Sequence, residues 1–149
     1  MELQFESRPV RYLGHILHES RGQEETAEVI VPDSCPDVAR VAYAAASAVV
    51  RSQECRTGCV SVSGGIRASA LCVPEDGSAP QCMEAYIPFT VRIEQPLVTE
   101  QMQSVLAAFV RQADARLVNS RKILFRVNVG VVLDGYEPRE ETLCTLVDP

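Results

Sequence analysis

Tryptophan is absent from this chain and aromatic residues make up only 5% of it, so any core it builds is aliphatic. Glycan sites lean on exposed aromatic platforms, and Tyr12, Tyr43, Tyr86 and Tyr136 are thin equipment for one. Histidine is almost as scarce. Only His15 and His18 are present to act as a base, which leaves the many serines and cysteines without an activating partner. Ser20, the serine nearest to a histidine, lies in the hydrophilic stretch Glu19 to Glu25, a surface loop by composition. Glycine patterns that cradle phosphates or dinucleotides are missing. A basic cluster is missing too: the net charge is −6 and Arg121-Lys122 is the only adjacent basic pair, which argues against nucleic acid as a partner. The longest apolar run, Val38 to Val50, contains Arg40 and is too short for a membrane span. Met1 is followed by Glu2, Gln4 and Glu6 instead of a basic and then apolar region, so no secretory signal is expected and the reading is cytoplasmic.

What is present is hydrophobic content of 46% in 149 residues, which suits one domain burying roughly two-thirds of its unfolded surface. Apolar residues alternate at Val60, Val62, Ile66, Ala68 and Ala70, then at Met83, Ala85, Ile87, Phe89, Val91 and Ile93, then at Ile123, Phe125, Val127, Val129 and Val131. That period of two marks strands. Gly64-Gly65 interrupts the first run as a bulge or bend would, and Pro88 marks the second as an edge strand or one with a bulge there, because proline cannot donate to a ladder. Gln103 to Val118 fits both a strand and a helical face, and is read as a strand. Short strands are expected around Leu3-Phe5, Val10-Tyr12, His15-Ile16-Leu17 and Ala27-Val29-Val31. The expected core includes Val62, Ile66, Ile87, Phe89, Val91, Phe109, Phe125, Val127 and Val129.

One stretch reads differently. Val31-Pro32-Asp33-Ser34-Cys35-Pro36-Asp37-Val38 has the S-x-x-D spacing of a capping box at Ser34 and Asp37, with Pro36 suited to a first helical turn. It predicts a short α-helix over about 35–46. The fold class is therefore mainly β, a β-sandwich or partly open barrel of antiparallel strands with that one helix. A single domain is expected over 1–134. Residues 135–149, with Glu137-Pro138-Arg139-Glu140-Glu141, read as an acidic tail or linker.

No metal or cofactor is expected. His15 and His18 would point to opposite faces of a regular strand and could share an ion only with a turn between them. The six cysteines, at 35, 55, 59, 72, 82 and 144, are read as thiols, with Cys72 facing the core. Cys55 and Cys59 flank a turn but lack a second closely spaced pair for a zinc site. Two surface clusters remain as candidate sites. Glu84, Tyr86 and Arg92 face outward from the presumed edge strand and suit a modest protein contact. Asn119, Arg121 and Lys122 form a polar turn, read chiefly as structural and otherwise as an anion or partner contact.

Glu28-Val29-Ile30-Val31-Pro32-Asp33-Ser34-Cys35-Pro36-Asp37-Val38, then Ile87-Pro88-Phe89, then Leu117-Val118-Asn119-Ser120-Arg121-Lys122-Ile123, resemble in order and spacing the successive signatures of the SPOCS domain family of sporulation and spore coat assembly proteins. The resemblance covers about residues 20–135. It implies a non-enzymatic protein-interaction module in spore coat or envelope assembly. Such a module would bind a coat or morphogenetic protein, or form a homo-oligomer, in the mother-cell cytoplasm at the forespore surface. The alternative is a ligand-binding domain that recognises a small molecule or an envelope glycan.

Overall fold

The structure, a computed structural model, describes residues 3–147. Alternation at a period of two governs nearly all of it, giving six strands: β1 (Gln4–Ile30), β2 (Val38–Arg56), β3 (Cys59–Pro74), β4 (Gln81–Glu94), β5 (Gln103–Asn119) and β6 (Lys122–Val147). They form two antiparallel three-stranded sheets, ordered β1-β6-β5 and β2-β3-β4. The sheets stack as a sandwich, with β1 beside β4 along one seam and β2 beside β5 along the other. Central strands β3 and β6 supply most of the core. Val60, Val62, Ile66, Ala68, Ala70 and Cys72 of β3 meet Ile123, Phe125, Val127, Val129, Val131 and Leu133 of β6, with Ile87, Phe89, Val91 and Ile93 of β4 beside them. All of these are buried, and no polar side chain is buried among the described residues. β4 is an edge strand, and Pro88 sits opposite Gly65 of β3.

The expected helix over 35–46 does not form. Residues 38–56 are strand β2, paired with β3 from Val38–Pro74 to Arg56–Cys59. Alanine carries the error: in Ala44-Ala45-Ala46-Ser47-Ala48 the side chains alternate between the core and the surface, yet the residue type barely changes. Ala46, Ala48 and Val50 pack inward while Ser47 and Val49 are exposed, and three register shifts in β2 blur the period further. Ser34 caps no helix. It lies in a turn that the Cys35 amide closes by donating to the Pro32 carbonyl, 2.9 Å away.

Phe109, expected in the core, lies on the outer face of β5 and is 40% exposed. A bulge between Val110 and Gln112 switches the parity of the strand, so Leu106, Ala108 and Val110 point inward before it and Ala113, Ala115 and Leu117 after it. The Phe109 ring instead lies over Gly130 of the neighbouring strand.

Nor is Glu19 to Glu25 a loop. It belongs to β1, whose half-buried positions Glu19, Arg21, Gln23 and Glu25 form a polar seam towards β4. Arg21 donates to Glu19 at 2.8 Å, Gln95 donates to the other Glu19 oxygen at 2.6 Å, and Gln23 donates to the Thr90 carbonyl of β4 at 3.1 Å. Charge is tolerated there because the groups pair along β1, Arg21 with Glu19 and Gln23 with Glu25, while Glu19 and Gln23 also bond across the seam.

Gly64 and Gly65 mark close approach instead of a bulge in β3, whose pairing to β4 runs unbroken. The neighbouring irregularity belongs to β2, between Val50 and Ser52. A side chain at Gly64 would strike the buried Phe89 ring and the Val49 carbonyl, and one at Gly65 would strike the Tyr86 ring on the opposite face. Phe89 and backbone cannot yield, whereas the Tyr86 ring is half-exposed and can swing away. Gly64→Ala should therefore cost about 1–3 kcal/mol in urea unfolding. Gly65→Ala should cost clearly less, and equal losses would show that Tyr86 is as fixed as Phe89.

Candidate functional site

The loop from Val31 to Asp37 carries the chain from one sheet to the other, and the β5–β6 turn lies against it. Arg121 joins the two. Its guanidinium donates to the carbonyls of Pro32 and Cys35 at 2.7 Å each, to that of Val31 at 3.1 Å, and to the Asp37 carboxylate at 3.2 Å. The backbone adds two bonds, from the Val31 amide to the Arg121 carbonyl at 2.8 Å and from the Val38 amide to the Ser120 carbonyl at 3.0 Å. A planar fork with several fixed donors is what such a set of carbonyls needs. Asn119 shapes the turn by accepting from the Arg121 amide at 2.8 Å, and Lys122 pairs with Glu28 at 3.3 Å. Asn119, Arg121 and Lys122 thus hold their own chain together. Two of the three stretches that carry the family resemblance meet at this corner.

Glu84, Tyr86 and Arg92 lie on the outer face of β4. The Tyr86 ring spans Gly65, with the Arg51 guanidinium of β2 5.0 Å from its centroid. Around them Ser47, Val49, Arg51, Gly65, Arg67 and Tyr86 line an open depression of about 220 Å³. Glu84 borders the neighbouring hollow with Arg67 and Ser69, whereas Arg92 lies further along, 3.5 Å from Glu94. Tyr43 and Val49 extend this face with exposed apolar surface.

The outer halves of β1 and β6 run past the sandwich as a two-stranded ribbon, pairing Gln4 with Val147 and continuing to Gly14 with Glu137. Residues 135–147, read from composition as a tail or linker, are strand throughout. Their charge hid it: Arg11 lies 3.5 Å from Glu140, and Tyr12 donates to Glu141 at 2.8 Å. One face of the ribbon pairs Phe5 with Leu146, Ser7 with Cys144, Pro9 with Thr142, Arg11 with Glu140 and Leu13 with Pro138. It is open and partly apolar, with Phe5 64%, Leu13 53% and Leu146 59% exposed on either side of the Arg11–Glu140 pair.

At the root of the ribbon the ladder slips. His15 pairs with Tyr136 and Leu17 with Gly135, so Ile16 is an extra residue. The bulge brings His18, opposite Asp134, onto the same face as His15. His18 Nδ1 lies 2.6 Å and His15 Nε2 3.0 Å from the same Asp134 Oδ1. The expectation that the histidines face opposite sides is thereby corrected: the bulge does what a turn would have done. The hydrogen bond from His18 holds the Asp134 carboxyl below its ordinary range, with desolvation working the other way and His15 adding to the lowering. Tyr136 packs on the His15 ring at 5.1 Å between centroids. Sequence could have flagged the trio only through His-x-x-His and a bulge that no local residue announces.

The cysteines are free, with the Cys55 thiol 3.6 Å from the Ser104 hydroxyl of β5. Among the described residues no helix is long and apolar enough to cross a membrane. Comparison with protein-family models, curated proteins and solved structures returned no match.

If Arg121 is the clamp of this corner, Arg121→Ala should lower stability by about 1–3 kcal/mol through carbonyls left without a charged donor. Arg121→Lys should recover little of that loss, since an ammonium cannot serve spread carbonyls from one plane. Thermal unfolding of both variants checks this, and full rescue by lysine would reduce the role to charge alone.

Proposed function

We propose that this chain is a non-enzymatic protein-interaction module of spore coat or envelope assembly, binding a coat or morphogenetic protein or a second copy of itself. The β1–β6 ribbon carries the reading. A two-stranded ribbon is marginal on its own in water and gains stability when its apolar face is covered. Here one face carries Phe5, Pro9, Cys144 and Leu146 on one side of the Arg11–Glu140 pair and Leu13 and Pro138 on the other, all of them exposed. Exposed apolar side chains grouped around a charged pair in this way are typical of association sites. The biological setting, in the mother-cell cytoplasm at the forespore surface, rests on the resemblance of the Glu28–Val38, Ile87–Phe89 and Leu117–Ile123 stretches to the SPOCS family. A protein partner is favoured over a small molecule or glycan because the outer-face depression at Tyr86, about 220 Å³, is small for a ligand pocket and offers a single ring.

The second candidate surface is the face with Glu84, Tyr86 and Arg92. The β4 edge itself is less available for strand addition, since Gln23 already donates to its Thr90 carbonyl. Two variants separate the surfaces: Phe5→Ser with Leu146→Lys on the ribbon, and charge reversal at Glu84 and Arg92 with Tyr86→Ala on the sheet. All five positions are exposed, so neither variant should unfold the sandwich. Sedimentation equilibrium and a pull-down from sporulating cells, read by mass spectrometry, should show that the ribbon variant loses self-association or its partner. Binding by the ribbon variant at parental strength would refute the ribbon assignment, and loss confined to the sheet variant would move the contact to β4.

A further inference from the structure

Ile16 is an inserted residue whose effect is to gather three ligand-type side chains on one face of a two-strand ladder. His15 Nε2, His18 Nδ1 and Asp134 Oδ1 all lie within 4.8 Å of one another. We propose that these three atoms form a binding site for a first-row divalent transition ion of the zinc class, with the remaining coordination position open to solvent.

The geometry fits with little movement. Zinc bonds to imidazole nitrogen and carboxylate oxygen are about 2.0–2.2 Å long, so ligands in a tetrahedral shell stand roughly 3.4 Å apart. His18 and His15 now stand 2.6 and 3.0 Å from the Asp134 oxygen, hydrogen-bonded to it. An ion entering between them replaces those hydrogen bonds and widens these two gaps by less than about 1 Å, while the two nitrogens, within 4.8 Å of each other, adjust to the same spacing. Rotation about side-chain torsions supplies that, because the histidine side chains are 48% and 60% exposed and the aspartate 27%. The frame behind them is firm. Leu17, next to the bulge, is buried in the core, Asp134 and His18 are directly opposed in the ladder, and Tyr136 backs the His15 ring.

Donor chemistry selects the ion. Two imidazoles with one carboxylate suit zinc, nickel, cobalt or copper, whereas calcium and magnesium require shells of oxygen. Both imidazoles bind as neutral rings, giving up any proton they carry, and the aspartate supplies one negative charge. Position gives the site its consequence. By strand alternation the trio shares its face with Leu13 and Pro138, so a bound ion would brace the ribbon where it leaves the sandwich. The inference stands apart from the identity of any protein partner.

The test uses the full chain, chelator-treated and with accessible cysteines alkylated, titrated with Zn2+ in a calorimeter and with Co2+ in a spectrophotometer. One equivalent should bind, with cobalt d–d bands and no thiolate charge-transfer band. His18→Gln and Asp134→Asn should each weaken binding by more than about 100-fold, since loss of a mere supporting partner costs 10–100-fold. Both variants should keep the parent's circular dichroism and its unfolding midpoint in chelator. Zinc should raise the melting temperature of the parent alone. Absence of saturable binding by the parent, unchanged affinity in both variants, or a thiolate band would each overturn the site.

Discussion

Everything in this sandwich turns on a corner where one guanidinium serves a set of backbone carbonyls. Two three-stranded sheets must be joined by a chain that leaves β1, crosses, and enters β2. Such a crossover exposes carbonyl groups that no ladder can satisfy. Arg121 supplies the donors from the opposite hairpin, so the turn of one sheet becomes the clasp of the passage to the other. With that end closed, Val31 and Val38 are drawn into the core on either side of the loop. The prolines and aspartates of the loop thus shape a crossover instead of starting a helix.

How much of this was legible in the sequence depended on whether inward and outward residues differ in kind. β3, β4 and most of β6 were legible, because valine, isoleucine or phenylalanine alternates there with serine, arginine or threonine. β2 was not, because alanine occupies both faces and favours helix when nothing else decides. β1 was broken into short pieces by its polar seam, since Glu19, Arg21, Gln23 and Glu25 face a neighbouring strand where apolar residues are the usual expectation. In β5 a bulge reversed the parity halfway along, so neither phase fitted the whole strand. The same kind of irregularity at Ile16 hid the histidine pair. Bulges are set by the partner strand, and a single strand's residues do not reveal them.

The two ends of the molecule therefore differ in kind. At the Arg121 end, polar groups are consumed internally and the surface offers little that is unpaired. At the other, strands outrun the sandwich and leave exposed apolar side chains around an ion pair, with His15, His18 and Asp134 at the base. Residues can be spared from holding the fold together where the chain's own bonding is incomplete.

The ribbon also carries a kinetic burden. β2, β3 and β4 follow one another as a meander with short turns, so each pairing closes a small loop. β1 and β6 come from opposite ends of the described chain, and the Thr145 hydroxyl reaches the Glu6 carbonyl across 139 positions. Closing so large a loop costs entropy before any contact is gained, and non-local pairing slows folding. While β6 is unpaired with β1, the polar seam, the bulge and the ribbon do not yet exist. The same pairing that creates the ribbon is thus the one whose closure costs the most chain entropy.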